Sequence, residues 1–177
     1  MDEEIVDVVN EDNLVIGKSS RKDAHIKGHI HRALSVLILN SDGKILLQKR
    51  SKNKSVHPLS WDISTSEHLL AGESYEDAGV RSVKEELGVE LEVKKVTEEK
   101  LQRRKYQLSQ GQVLENEIVL ILLGNHDGPF KIDPLEVDSV NFFSVEEIEE
   151  MIAGKEDFTI WFLDEWENVK NVIRAKN

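Results

Sequence analysis

The sequence predicts an α/β fold in which helices pack on a mixed β-sheet. Apolar extended runs, each bounded by turn residues, recur along the chain and are separated by segments with helical periodicity. In a chain of 177 residues, 39% apolar side chains are enough to fill one substantial core. Strands and helices follow one another without a linker or repeat, so we expect a single domain over residues 1–177.

The first third of the chain is predicted to be mainly extended. Glu11-Asp12-Asn13 favours a hairpin turn, and Ser41-Asp42-Gly43-Lys44 is typical of a turn between two apolar strands. Residues 51–58 predict a polar loop that carries lysines. The predicted strands are residues 4–9, 14–17, 31–39 and 45–49, followed by a short strand or extended segment at 61–69.

One amphipathic helix is predicted over about residues 74–87. Ser74 suits the N-cap position, and the acidic residues that follow it suit the positive end of the helix dipole. Gly88 stands where a left-handed C-cap belongs. The apolar stripe that would face the core is formed by Ala78, Val80, Val83 and Leu87.

The second half of the chain predicts three further strands and two helices. Ser144 and Glu147 form a capping-box pattern at the start of the first of these helices. Segments 97–113 and 124–136 are expected to be loops that determine specificity. The predicted strands are residues 89–96, 114–123 and 137–143, and the predicted helices are residues 144–153 and 158–175.

The net charge of −11 restricts the partners of the protein. A nucleic-acid polymer needs a basic surface, so we expect none as a ligand, whereas a small phosphorylated ligand needs only local cations or a metal ion. No apolar run is long enough to span a membrane, and the acidic N-terminus is unlike a signal peptide, so we expect a cytoplasmic protein. The sequence has no cysteine, which excludes disulfides, thiolate metal sites and cysteine-dependent catalysis.

A cluster of charged residues accompanies the helix at 74–87. Glu73 precedes it, Arg81 lies in its middle, and Glu85 and Glu86 lie near its end. A solvated face with an ion pair between Arg81 and Glu85 is the simpler interpretation. The alternative is a carboxylate cluster, held by the arginine and suited to hard divalent cations.

The spacing of these residues favours the second interpretation, because residues 67–89 resemble the Nudix box. Gly72-Glu73, Arg81 and Glu85-Glu86-Leu87-Gly88-Val89 match its pattern of glycine, glutamate, arginine and a terminal Glu-Glu-x-Gly-apolar run. Two positions depart from the pattern: Glu67 replaces the opening glycine, and Ser82 replaces the glutamate after the arginine. The resemblance implies a Nudix-type α/β/α sandwich with a mixed central sheet.

A second group of candidate ligands lies outside the box. His25, His29 and His31 fall within seven residues, and His68 lies just before the helix. Glu115 and Glu117 share one face of a predicted strand, where two inward carboxylates are costly unless a cation neutralises them. Histidine nitrogens combined with glutamate oxygens predict a metal site.

These residues extend the resemblance to one Nudix branch, the type I isopentenyl diphosphate isomerases and isomerase-like Nudix hydrolases. It covers about residues 4–165. It rests on Gly28-His29-Ile30-His31-Arg32-Ala33, Leu47-Gln48-Lys49-Arg50-Ser51, Lys54, Pro58, Trp61, His68, Gly72-Glu73-Ser74, Glu115-Asn116-Glu117 and Phe158-Thr159-Ile160-Trp161. The resemblance implies a metal held by His31, His68, Glu115, Glu117 and one upstream histidine, either His25 or His29. It also implies diphosphate binding by Arg50 and Lys54 and a second metal at Glu86.

The isomerase pattern is broken at its catalytic cysteine, which falls on Ser66. A hydroxyl is a far weaker acid than a thiol, so it is a poor substitute for proton transfer at carbon. Three hypotheses remain open: a metal-dependent diphosphohydrolase, an isopentenyl diphosphate isomerase that uses Ser66, and an inactive Nudix fold that only binds. Because Nudix hydrolases recruit their water-activating carboxylate from different places, we favour the first.

The favoured hypothesis assigns each candidate residue a role. Mg²⁺ or Mn²⁺ is the expected cofactor, and a small-molecule diphosphate is the expected partner. A homodimer is the default expectation for a small enzyme. The expected catalytic residues are Glu85, Glu86 and Glu117. The expected metal ligands are these three glutamates together with His25, His31, His68 and Glu115. The expected substrate-binding residues are Arg50 and Lys54, and the residues expected to hold the loop and helix in place are Gly72, Glu73 and Arg81.

Overall fold

The computed structural model describes residues 4–108 and 111–174. Within these ranges the strands are β1 (Ile5–Val9), β2 (Val15–Ser20), β3 (His31–Leu39), β4 (Ile45–Arg50), β5 (Trp61–Asp62), β6 (Thr65–His68), β7 (Lys94–Lys95), β8 (Lys100–Leu108), β9 (Gly111–Asn125) and β10 (Val137–Phe143). The helices are α1 (Arg21–Lys27), α2 (Tyr75–Leu87), α3 (Val145–Ala153) and α4 (Ile160–Arg174). None of the described helices is both long and apolar enough to cross a bilayer.

The strands form a small hairpin and one large mixed sheet. β1 pairs with β2, as the sequence predicts, and the large sheet runs in the order β10-β4-β3-β9-β7. Three further strands extend it: β5 pairs with β4, β6 with β3, and β8 with β9. β3 and β9 are parallel, whereas the other paired strands are antiparallel, so the predicted mixed sheet is confirmed.

Helices cover both faces of the large sheet, because alternate residues of the central strands point to opposite sides. Leu37 of β3 and Ile121 of β9 belong to a core with residues of α3 and α4. Val36 and Leu122, their neighbours in sequence, belong to a second core with residues of α2. The predicted α/β/α sandwich is therefore confirmed.

Helix α2 begins and ends where local chemistry predicts. The Ser74 side chain accepts a hydrogen bond from the Asp77 backbone, and Gly88 adopts the left-handed conformation with φ 68°. Gly79 lets the helix lie close to the sheet, because a Cβ there would come within 2.5 Å of the Leu122 side chain. Val80 of the predicted stripe is only partly buried.

Helix α1, which the sequence pattern did not reveal, lies against β9. Ser20 caps its N-terminus, and Gly28 ends it with φ 70°. The side-chain amide of Asn116 donates a hydrogen bond of 2.7 Å to the Gly28 carbonyl oxygen. A Cβ at Gly28 would meet Leu114 and Asn116 atoms at 3.0 and 3.1 Å. The close contact at Gly28 therefore fixes α1 to the sheet.

The structure corrects several predicted boundaries. Residues 97–113 are not simply a loop, because β8 runs antiparallel to the first part of β9 over residues 100–108. The predicted strand at 89–96 is reduced to Lys94–Lys95, and the strand predicted at 114–123 spans Gly111–Asn125. The β8 sequence is rich in basic residues and lacks apolar alternation, so pairing with β9 determines its conformation.

Candidate active site

One cavity of about 640 Å³ brings together the histidines, the box carboxylates and the predicted phosphate-binding cations. Its wall is built from α1, β3, β6, α2, the β8–β9 hairpin and α4. The candidate residues of the sequence that line it are His25, Arg50, Lys54, His68, Glu85, Glu86, Glu115 and Glu117.

Four residues form a cluster that could hold a metal ion. One ligand atom each from His25, His31, His68 and Glu117 lies within 4.8 Å of all the others. His68 Nε2 is 2.9 Å from a Glu117 carboxylate oxygen, and His31 Nε2 is 3.7 Å from the same oxygen. The rings of His25 and His31 meet edge to face, with centroids 4.9 Å apart.

Four different elements supply this cluster. His25 comes from α1, His31 begins β3, His68 ends β6, and Glu117 lies in β9. His31 is opposite Glu117 in the parallel pair of β3 and β9. His29 lies outside the cluster, and its carbonyl oxygen lies 2.9 Å from His31 Nδ1. The structure therefore places His25, not His29, beside the other ligands.

The state of the imidazoles suits metal binding. Burial disfavours the charged ring and lowers the pKa of His25 to about 4 and that of His68 to about 3. His31 Nδ1 donates to the His29 carbonyl, which leaves Nε2 as a lone-pair donor. His25 Nδ1 and His31 Nε2 are buried without a hydrogen-bond partner. The neutral imidazoles of His25 and His68, the unpaired buried nitrogens and the Glu117 carboxylate form a donor set that fits a divalent metal ion.

The two glutamates of β9 have different environments. Burial raises the pKa of Glu117, but the hydrogen bond with His68 and the nearby imidazoles outweigh it and lower that pKa overall. Glu115 lies outside the cluster of four, and its carboxylate is 3.8 Å from the Arg104 guanidinium. Burial and the adjacent Glu117 charge raise the pKa of Glu115 to about 8. Glu115 therefore belongs to the cavity wall, and its role as a ligand stays a prediction.

The paired carboxylates of α2 also differ. Glu86 is 8% exposed, and its carboxylate accepts a hydrogen bond of 2.9 Å from the Gln48 amide. Burial raises the pKa of Glu86 to about 8. Glu85 is exposed and forms an ion pair of 3.3 Å with Arg81, the i,i+4 pair that the sequence suggests.

Arg81 connects helix α2, which carries the residues that resemble the Nudix box, to the histidine cluster. Its guanidinium donates to both oxygens of Glu73, at 2.9 Å each. It also donates to the backbone carbonyl of His68 at 3.0 Å. The Gly72 backbone N–H donates to the Asp7 carboxylate on β1. This hydrogen bond holds the loop between β6 and α2 in place. These contacts match the expected brace, whose effect on activity stays a prediction.

The two predicted phosphate-binding cations lie in the cavity wall and already have partners. Arg50 lies 3.3 Å from Asp62 and stacks over the Trp161 ring at 5.1 Å. Lys54 pairs with Glu136. A phosphate would therefore compete with carboxylates for both side chains.

Comparison with known proteins identifies the family. The model of the NUDIX domain matches residues 29–162. The chain belongs to the Nudix family. Nudix enzymes generally use divalent metal ions, and the cluster of His25, His31, His68 and Glu117 could hold one.

Relatives of this Nudix protein carry two kinds of name. Isopentenyl-diphosphate Delta-isomerase 1 of Photorhabdus laumondii is 30% identical over 94% of this chain and 94% of its own length. An uncharacterized Nudix hydrolase of Clostridium acetobutylicum is 40% identical over 51% of this chain and 45% of its own. The chain is thus similar to both isomerases and hydrolases.

Solved structures support the Nudix fold. The crystal structure of DR0079 from Deinococcus radiodurans has a TM-score of 0.72 and 22% identity, and the match covers 97% of this chain and 98% of that one. A MutT protein from Methanosarcina mazei has a TM-score of 0.61 and 22% identity, over 80% of this chain and 94% of that one. At this identity the likeness concerns the fold.

Ser82 and Ser66, two of the three positions that depart from the patterns, lie at or beside the cavity. Ser82 is fully buried on α2, and its hydroxyl donates to Glu86 at 3.4 Å. Ser66 lines the cavity, and its hydroxyl oxygen is 3.4 Å from that of Ser35. A glutamate at position 82 would therefore place a second buried carboxylate beside Glu86.

Sequence reasoning assigned no role to several residues of the cavity wall. Arg21 of α1, Arg104 of β8 and Glu165 of α4 come from elements or positions without a recognised pattern. Trp161, to which the resemblance assigned no role, also lines the cavity, and its ring N–H donates to the buried Asp62 carboxylate. The Ser20 cap before Arg21 was the one local signal that could have indicated α1.

Proposed function

We propose that this Nudix protein is a metal-dependent hydrolase that cleaves a diphosphate linkage in a nucleoside diphosphate derivative or a similar small molecule. The observation that supports this most is the cavity that joins a His-Glu cluster, two box carboxylates and several cations. Carboxylates and imidazoles suit divalent ions, and cations suit the phosphate oxygens that such ions also contact.

The cluster of His25, His31, His68 and Glu117 would hold one metal ion. Three nitrogen donors favour Mn²⁺ over Mg²⁺, which prefers an all-oxygen shell. Glu85 and Glu86 would serve a further Mg²⁺ or Mn²⁺ ion that arrives with the diphosphate. A divalent ion bound in such a site neutralises charge on phosphate oxygens and lowers the pKa of coordinated water.

Residues of the chain itself would bind and orient the substrate. Arg21, Arg50 and Lys54 line the cavity and would offer cations to the phosphate oxygens. Arg81 and Glu73 hold the box helix against the strand that ends in His68, so the two groups of ligands keep their relative positions.

A second candidate function is isopentenyl diphosphate isomerisation with Ser66 in place of the cysteine. It is favoured by the similarity over nearly the full length to proteins named as isomerases. The hydrolase ranks first because a serine hydroxyl is a poor proton donor to carbon.

A panel of diphosphate compounds that includes isopentenyl diphosphate tests both functions. We expect hydrolysis with Mg²⁺ or Mn²⁺, and a loss of kcat of about a hundredfold or more in Glu86→Gln and His68→Ala. Glu150→Gln, a change on the exposed side of α3, is the matched control and should leave the rate unchanged. Formation of dimethylallyl diphosphate without hydrolysis would overturn the proposal in favour of the isomerase.

A further inference from the structure

Glu165 is a buried carboxyl group that the proposed function leaves unused. It lies on α4 with 3% of its surface exposed, yet it contributes to the wall of the active-site cavity. The Ser35 hydroxyl donates to one of its oxygens at 3.0 Å, and the Gln102 amide donates to the other at 3.2 Å. Among residues 4–108 and 111–174, no cationic side chain forms an ion pair with it.

The surroundings of Glu165 allow it to hold a proton. Burial raises the pKa of Glu165 to about 7, because the loss of hydration destabilises the carboxylate more than the two hydrogen bonds stabilise it. The charge of Arg104 on β8 acts in the opposite direction, and that of Asp62 on β5 adds to the rise. A carboxyl group with such a pKa can both accept and release a proton near neutral pH.

Two hydroxyl groups connect Glu165 to the Nudix site. Ser35 and Ser66 are opposite each other in the antiparallel pair of β3 and β6, and their oxygens are 3.4 Å apart. All three side chains line the cavity, and Ser66 is two residues before His68. The serine–serine distance is long for a hydrogen bond, but such bonds commonly shorten when substrate binds.

We propose that Glu165 accepts the proton released by the attacking water, through the hydroxyl groups of Ser66 and Ser35. The inference rests on the proposed function, since it requires water to attack a diphosphate in this cavity. Glu165 acts through the two serines and contacts neither substrate nor metal. One oxygen of Glu117 lies against His68 and His31, so that carboxylate already belongs to the candidate metal cluster.

The proton transfer balances without a further reactant. The water oxygen bonds to phosphorus, the bridging P–O bond breaks, and its electron pair stays on the leaving phosphate oxygen. The water proton passes to the Ser66 oxygen, and the Ser66 hydroxyl proton passes to the Ser35 oxygen. The Ser35 hydroxyl proton then passes to the Glu165 carboxylate. Both serines regain their hydroxyl groups. A second cavity of about 340 Å³, lined by Glu165, Gln102 and Asn168, offers a route for the proton to solvent.

The pH dependence of hydrolysis tests the relay. Because Glu165 must be deprotonated to accept a proton, kcat of the wild-type protein should rise with pH through about 7. Glu165→Gln and Ser35→Ala should lower kcat roughly a hundredfold, remove this rise and leave KM nearly unchanged. Ser35→Thr keeps the hydroxyl and should retain activity. Glu167→Gln removes an exposed carboxylate of the same helix and is the matched control.

Wild-type kcat and an unchanged pH profile in Glu165→Gln would overturn the inference. An infrared difference spectrum, wild type minus Glu165→Gln, tests it without activity. We expect the band of a protonated carboxyl group below pH 7, its loss above pH 7, and a shift of its frequency in Ser35→Ala. Absence of the band below pH 7 would also overturn the inference. A wild-type protein that shows the band and hydrolyses nothing would contradict the proposed function and leave Glu165 as a proton-holding group.

Discussion

At the scale of single residues, several carboxyl groups with raised pKa values line the candidate active-site cavity. Burial raises the pKa of Glu86 and of Glu115 to about 8, and that of Glu165 to about 7. Each group gains from a proton, a cation or a metal ion, because an isolated carboxylate is poorly stabilised away from water. The cavity therefore favours bound cations. When no cation is bound, the burial of these carboxylates costs the protein some of its folding stability.

This cost leads to a stability prediction for Glu165→Gln. The carboxyl pKa is 4.5 in the reference state and about 7 in the folded protein, so the folded state binds more protons between these values. The contribution of Glu165 to the free energy of unfolding is fully present below pH 4.5 and is lost as pH rises through about 7. We expect Glu165→Gln to be close to wild type in acid and more stable by roughly 3 kcal/mol above pH 8.

Urea denaturation at several pH values measures this difference. The Glu167→Gln variant serves as the control, because its carboxylate is exposed. A wild-type protein that matches or exceeds Glu165→Gln in stability above pH 8 would show that the Glu165 carboxylate is better solvated than its burial indicates.

At the scale of elements, helix α1 determines whether the histidine cluster is complete. It carries His25, and its position depends on the close contact between Gly28 and β9. The hydrogen bond from Asn116 to the Gly28 carbonyl adds to this contact. Because Asn116 is next to Glu117, one short segment of β9 both contributes a residue to the cluster and positions the helix.

The variant Gly28→Ala tests this dependence. Its Cβ would meet atoms of Leu114 and Asn116 at 3.0 and 3.1 Å, on a backbone with φ 70°. We expect a loss of about 1–2 kcal/mol in stability and roughly a tenfold weaker affinity for Mn²⁺, because α1 must shift. Calorimetry with Mn²⁺ measures the affinity.

Gly17→Ala is the matched control, since a Cβ at Gly17 has no atom within 4 Å. It should leave both stability and metal affinity unchanged. Unaltered Mn²⁺ affinity in a folded Gly28→Ala protein would show that α1 does not position a metal ligand.

At the scale of the whole molecule, the metal cluster ties together elements that are distant in the chain. The four residues of this candidate cluster come from α1, β3, β6 and β9, which span residues 21–125. A ligand that binds only the folded state raises stability, by about 2.7 kcal/mol at a hundred times its Kd. We therefore expect Mn²⁺ to raise the Tm of the wild-type protein in thermal unfolding.

Two histidine variants make this prediction specific. His25→Gln removes a nitrogen of the cluster and should abolish most of the rise in Tm with Mn²⁺. His29→Gln changes a nearby histidine whose side chain lies outside the cluster, so it should keep the rise. If His29→Gln abolished the rise in Tm and His25→Gln kept it, His29 would be the metal ligand, which is the alternative that the sequence leaves open.

Local chemistry allowed much of the fold to be predicted from the sequence. Helix α2 and the capping box at Ser144 follow from contacts within a few residues, so their patterns are visible in the chain. Helix α1 and strand β8 were missed, because α1 is short and docks on β9, and β8 depends on pairing with β9. Such elements are stabilised by residues far away in sequence.

The sequence by itself determined the family, the sandwich and the types of donor atoms available, because these depend on residue identity and spacing. Only the tertiary structure placed His25, and not His29, in the candidate cluster, since this depends on where α1 lies against β9. It also placed Glu165 beside Ser35, residues that are 130 positions apart. The docking of α4 against β3 creates that contact, and no local pattern of the sequence predicts it.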